Sequence, residues 1–83
     1  MLLQTKDITV FQLRAARAGL GLSVSDLHKK TGVGRITITR IEKQDKAKSP
    51  VCNLNTIFQL RTFFEAKGVV FEENSKISLA RKT

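Results

Sequence analysis

The stretch from Ser23 to Glu42 limits what this chain can fold into more than any other part of it. Ser23, with Asp26 three residues on, is a helix start. The hydroxyl can accept an orphan N–H, and the carboxylate sits near the positive end of the helix dipole. The helix that follows, Val24 to Lys30, has room for about two turns and one core residue, Leu27. Thr31-Gly32-Val33-Gly34 then makes a tight connection, with Gly32 supplying a left-handed backbone at little steric cost. Beyond it, Arg-Ile-Thr-Ile-Thr-Arg-Ile alternates like a strand and is rich in β-branched residues. On a helical wheel, however, Ile38 and Ile41 fall on one face with Val33 just before them. Arg35, Ile36, Thr39 and Arg40 occupy a contiguous opposite arc. The preceding short helix and glycine turn make sense only if another helix follows, so Arg35 to Glu42 is expected to be helical.

The flanks extend this pattern. Thr9 and Gln12 have capping-box spacing, and behind them Val10, Leu13, Ala16 and Leu20 share one helical face with Arg14 outward. Gly19 or Gly21 ends that helix. Lys43 to Asn53 is polar, holds the only proline (Pro50) and reads as a loop. Asn53 can cap a fourth helix from Leu54 to Lys67, stopped by Gly68, with Ile57, Leu60 and Phe64 as its core stripe and an Arg61–Glu65 pair at i,i+4. Val69 to Glu72 and Ile77 to Leu79 flank Glu73-Asn74-Ser75-Lys76, which predicts a β-hairpin. A hairpin alone is marginal in water, so this one must pack on the fourth helix or pair with another chain. The expected fold is thus mainly α: an arm or short strand over residues 1–8, a four-helix domain over 9–68, and a C-terminal hairpin and basic tail over 69–83.

Composition narrows the function classes. In 83 residues, 15 Lys and Arg stand against 7 Asp and Glu, a formal charge of +8. Such a surplus points to an acidic partner, most simply nucleic acid, or else an anionic membrane surface. A single cysteine, Cys52, excludes an internal disulfide and fits a reducing compartment. With His28 as the one histidine, a zinc finger is excluded, and no metal or other cofactor is expected. His28 itself reads as a helix-surface residue. No apolar run approaches a membrane span, and Met1-Leu2-Leu3 is too short for a signal peptide. A cytoplasmic protein is therefore expected. Catalysis is not: there is no Ser/His/Asp constellation, no paired-carboxylate site, and Gly19-Leu20-Gly21 is too short for a nucleotide fingerprint.

Two short helices joined by a glycine turn describe a helix-turn-helix motif. Here the sequence also resembles a family, the XRE/Cro-type, lambda-repressor-like DNA-binding domains. The resemblance rests on Leu13-Arg14-Ala15-Ala16-Arg17, Leu22-Ser23, Asp26-Leu27, Thr31-Gly32-Val33 and Ile38 through Arg40-Ile41-Glu42. Leu60 to Phe71, ending Glu-Ala-Lys-Gly-Val-Val-Phe, is similar to the fourth helix and following strand of small stand-alone bacterial or mobile-element members. The resemblance spans roughly residues 9–80. It implies that Gly34, Arg35, Ile36 and Arg40 occupy base-reading positions. It also places Val24 where many members carry a phosphate-bonding Gln, and makes Arg17 and Glu42 a structural salt bridge tying the first helix to the end of the third.

The residue chemistry of the third helix is compatible with such a role. Arg35 and Arg40 can each grip guanine O6 and N7 with a bidentate fork, and Ile36 suits a thymine methyl. Thr37 and Thr39 can serve phosphates or that methyl. Phosphate contacts are expected from Lys29, Lys30, Lys43, Lys46 and Lys48, and from the start of the second helix at Ser23 and Val24. One such helix presents few base contacts, which favours a homodimer on double-stranded DNA with two recognition helices about 34 Å apart. Phe58, Phe63, Val70 and Phe71 are the candidate dimer residues; Phe63, Val69 and Phe71 can equally be core under the hairpin. The expected function is a transcriptional regulator that occupies an operator. The alternatives are a protein-interaction module of the same fold, such as an antitoxin or antiactivator, and nonspecific nucleic-acid binding.

Overall fold

A computed structural model of the chain describes residues 8–72 and 77–79; the arm at 1–7, the connection at 73–76 and the basic tail at 80–83 lie outside the described residues. The described chain is mainly helical: α1 (Val10–Gly19), α2 (Val24–Thr31), α3 (Arg35–Glu42) and α4 (Leu54–Ala66), then β1 (Val69–Phe71) and β2 (Ile77–Leu79). β1 and β2 pair antiparallel, with Val69 opposite Leu79 and Phe71 opposite Ile77. Among the described residues, no helix is long and apolar enough to cross a membrane.

Local chemistry starts each helix where the sequence places it. Thr9 and Gln12 close a full capping box on α1, and Ser23 and Asp26 close another on α2. Each box satisfies backbone donors that a helix end otherwise leaves to water. Asn53 caps α4 through Asn55 N–H at 2.7 Å. The turn after α2 carries Gly32 at φ +82°, with its N–H on His28 C=O at 2.8 Å. Thr31 Oγ1 donates to Leu27 C=O and accepts from Val33 N–H. A carbonyl can only accept, so the 2.8 Å contact with Val33 C=O places a proton on His28 Nδ1. His28 is therefore partly buried and holds the α2–α3 turn, a role that the expectation of a surface histidine missed.

The apolar faces meet in one core. Leu13 and Ala16 of α1, Leu27, Val33, Ile38, Ile41, then Ile57, Leu60, Phe64 and Val69 are all buried. Burial of Ile38 and Ile41 is what selects a helix for the alternating segment. At helical spacing both enter the core, whereas a strand would send them to opposite sides. Ile8, assigned by its sequence to the arm, is fully buried in this core.

Tertiary bonds lock the polar loop and the C-terminal strands onto α1. The first free N–H groups of α1 go to the loop: Val10 N–H to Lys48 C=O at 2.9 Å and Phe11 N–H to Lys46 C=O at 3.0 Å. Gln12, the one buried polar residue among those described, donates to Glu72 C=O at 2.7 Å while its Oε1 accepts from Thr9 N–H at 2.8 Å. A buried amide is tolerable because both ends are bonded.

Candidate functional site

α3 is held by its buried edge and by one ion pair at its end. Arg17 Nε and Nη2 meet Glu42 Oε2 and Oε1 at 2.7 and 2.8 Å, and Nη1 reaches Leu22 C=O at 2.8 Å. The paired carboxylate holds the Arg17 guanidinium firmly protonated, above its usual range. This two-pronged clamp ties α1, the α1–α2 turn and the last turn of α3, and it uses up the only carboxylate on α3.

The opposite face of α3 is therefore free of acidic groups. Arg35, Ile36, Thr39, Arg40 and Lys43 line an open concavity of about 330 Å³. Arg35, Arg40 and Lys43 are exposed and make no ion pair among the described residues, and Ile36 is 70% exposed. Four of the five expected base-reading residues thus share one surface, and Lys43 adds a cation at its end. Gly34 begins α3 at φ −62° with no side-chain cap. A Cβ there would meet only Thr37 Oγ1 at 3.7 Å, so nothing among the described residues demands glycine. Chemically, the surface offers two planar five-donor forks and an ammonium around an apolar centre, a set suited to an anionic, flat-faced partner.

The remaining candidates divide. Lys29 and Lys48 are exposed, but neither lines this concavity. Lys30 lines a separate cleft of about 180 Å³ with Leu20, Leu22, Phe63 and Lys67. Lys46 turns inward: its ammonium donates to Glu42 C=O and, at 3.2 Å, to Gln44 C=O, capping the negative end of α3. Ser23 spends its hydroxyl on Asp26 N–H. Ser23 N–H and hydroxyl in turn hold the Asp26 carboxyl below its ordinary value. Val24 is half-buried and packs against the core edge, and a valine side chain has no group that could bond a phosphate. Thr37 is half-buried.

The aromatic candidates divide as well. Phe63 and Phe71 both pack edge-on to Phe64, with centroids 5.5 and 6.2 Å away, and Lys67 lies over the Phe63 ring. Phe58 and Val70 stay exposed. Cys52 is half-buried against the core, and burial pushes its thiol upward, away from the reactive thiolate.

No family model matches the chain, and no curated protein or solved structure is significantly similar to it.

Proposed function

We propose that this protein is a small sequence-specific DNA-binding regulator whose α3 enters the major groove as the second helix of a helix-turn-helix. The observation that carries this reading is the α3 surface. Two guanidiniums without an ion pair among the described residues flank an exposed isoleucine, with no carboxylate lining the surface, on a chain of charge +8. Arg35 and Arg40 read guanines and Ile36 packs on a thymine methyl, while Lys43 and the exposed Lys29 and Lys48 neutralise phosphates. The absence of a side chain at Gly34 lets the duplex approach the start of α3. Operator occupancy by a dimer then excludes or recruits polymerase.

The test is a fluorescence-anisotropy titration at physiological salt, comparing DNA from upstream of the protein's own gene with scrambled DNA of equal length. A preference of about a thousandfold or more is expected. Equal, weak and salt-sensitive binding to genomic fragments and scrambled DNA alike refutes sequence-specific regulation. The exposure of Ile36 favours one second reading, a protein-interaction module of the same fold. Binding of a protein partner that Ile36→Ala abolishes, with no DNA preference, is its signature.

A further inference from the structure

We infer that the cleft between the α1–α2 turn, α2 and α4 is a binding site for a small organic acid, one carboxylate carried on a body the size of an aromatic ring. The cleft holds about 180 Å³ and is lined by Leu20, Leu22, Lys30, Phe63 and Lys67. It shares no lining residue with the α3 surface, so the inference goes beyond the proposed function and does not rest on it.

The lining divides into an apolar floor and a cationic rim. Leu20, Leu22 and Phe63 are half-buried and pack against the core. The backbone of the two leucines is tied down. Leu20 N–H donates to Ala16 C=O and Leu22 N–H to Arg17 C=O, each at 3.1 Å, and Leu22 C=O accepts from Arg17 Nη1 at 2.8 Å. The Phe63 ring stands edge-on to the buried Phe64. A floor that is ordered beforehand lowers the entropic cost of binding. At the rim, Lys30 stands in the last turn of α2 and Lys67 at the C-terminal cap of α4. Both are exposed, and neither forms an ion pair among the described residues. The Lys67 ammonium lies over the Phe63 ring, 5.6 Å from its centroid, which sets one of the two charges against the apolar floor. No carboxylate lines the cleft, and Glu65, the one acidic residue of α4, is paired with Arg61 at 3.0 Å.

Charge and size together select the occupant. Two ammoniums favour an anion and repel a cation. The floor of two leucines and a phenylalanine calls for an apolar body, whereas a nucleic-acid phosphate would be stripped of water there without gaining a bond. An apolar cavity of about 150 Å³ accommodates one benzene ring, so this cleft has room for one ring with its acid group at the rim. The ring can meet Phe63 edge-on or offset while the carboxylate accepts from the lysines. The α3 concavity also combines cations with an apolar side chain, but its Ile36 is 70% exposed and no aromatic ring lines it. With so few contacts, dissociation falls on the order of 1 mM.

The test is an amide NMR titration of the full chain with sodium benzoate, at constant ionic strength and up to about 20 mM. Saturating shifts centred on Leu20, Leu22, Lys30, Phe63 and Lys67 are expected. Acetate, which lacks the ring, and benzylamine, which carries the wrong charge, should give none. Lys30→Gln and Lys67→Gln should each weaken benzoate roughly threefold, the size of an exposed ion pair, with the melting temperature nearly unchanged because both side chains are exposed. Lys29→Gln removes the same charge one residue away but outside the cleft, and should leave binding as it is. The inference is overturned by the absence of saturable shifts, by equal shifts with acetate or benzylamine, or by shifts centred on Arg35 to Lys43. Affinity that neither Lys30→Gln nor Lys67→Gln lowers overturns it too. A capped peptide of alternating glutamate and leucine that binds the same amides more tightly than benzoate overturns the small-molecule occupant and assigns the cleft to a protein segment. DNA preference, present or absent, alters none of these readings.

Discussion

Substituting Glu42 with Ala isolates what holds α3 in place. The side chain accepts two charge-assisted bonds from Arg17, at 2.7 and 2.8 Å, and the two side chains are only 12% and 17% exposed. Truncating one partner of a fully buried pair costs about 3–5 kcal/mol, mostly through the stranded charge, whereas an exposed pair is worth about 0–1 kcal/mol. Here the residual exposure gives Arg17 some access to water, and its third bond to Leu22 C=O survives. About 2–3 kcal/mol is therefore expected. For a domain of 83 residues that lowers the melting temperature by roughly 10–20 °C. Differential scanning calorimetry at pH 7 reads the loss directly. Arg17→Met and the double variant complete a cycle in which the pair should couple by at least about 1 kcal/mol. A Glu42→Ala loss below about 0.5 kcal/mol, or additive single losses, would refute the clamp as a stabilising element.

Three further outcomes are expected. Gln12→Leu removes the bonds to Glu72 C=O and Thr9 N–H from a fully buried site; urea denaturation should show a loss of about 1–3 kcal/mol, and an unchanged midpoint would refute the amide's role. Asp26 has a carboxyl held below its ordinary value of 3.8, first by the Ser23 N–H and then by the Ser23 hydroxyl. Its stabilisation is present above that value and is lost as pH falls through the lowered one. The advantage of wild type over Asp26→Asn in urea midpoint should therefore shrink between about pH 5 and pH 2, and a difference independent of pH contradicts this. On a preferred DNA site Arg40→Ala should cost about 1–3 kcal/mol and relax choice at one base pair, whereas Lys48→Ala should weaken all sequences alike. Identical behaviour of the two variants on specific and random DNA removes Arg40 from base reading.

Lys46 is a less clean probe of phosphate binding than its charge suggests. Its ammonium caps the end of α3 and its carbonyl accepts the Phe11 N–H, so Lys46→Ala also disturbs the fold. The sequence could not show this. A loop of lysines looks solvated when read linearly, and only the return of the chain over the start of α1 brings carbonyl and ammonium to their partners.

The boundary between what was legible and what was not follows the range of the forces. Thr9 with Gln12, Ser23 with Asp26, and Gly32 act within one helical turn, and by itself the sequence determined that helices begin and turn there. It likewise determined the outward arc of Arg35, Ile36, Thr39 and Arg40, because helical periodicity places those side chains once the helix exists. It did not determine that the helix exists. Arg35 to Ile41 suits a strand equally well by local preference, and the burial of Ile38 and Ile41 in the common core decided the matter. Tertiary packing also took Ile8 into the core and aimed His28 at the turn. It turned Phe63 and Phe71 inward while leaving Phe58 out, and joined Gln12 to a carbonyl 60 residues away. Those outcomes depend on which surfaces meet after the chain has folded back on itself, and no spacing along the sequence carries that information.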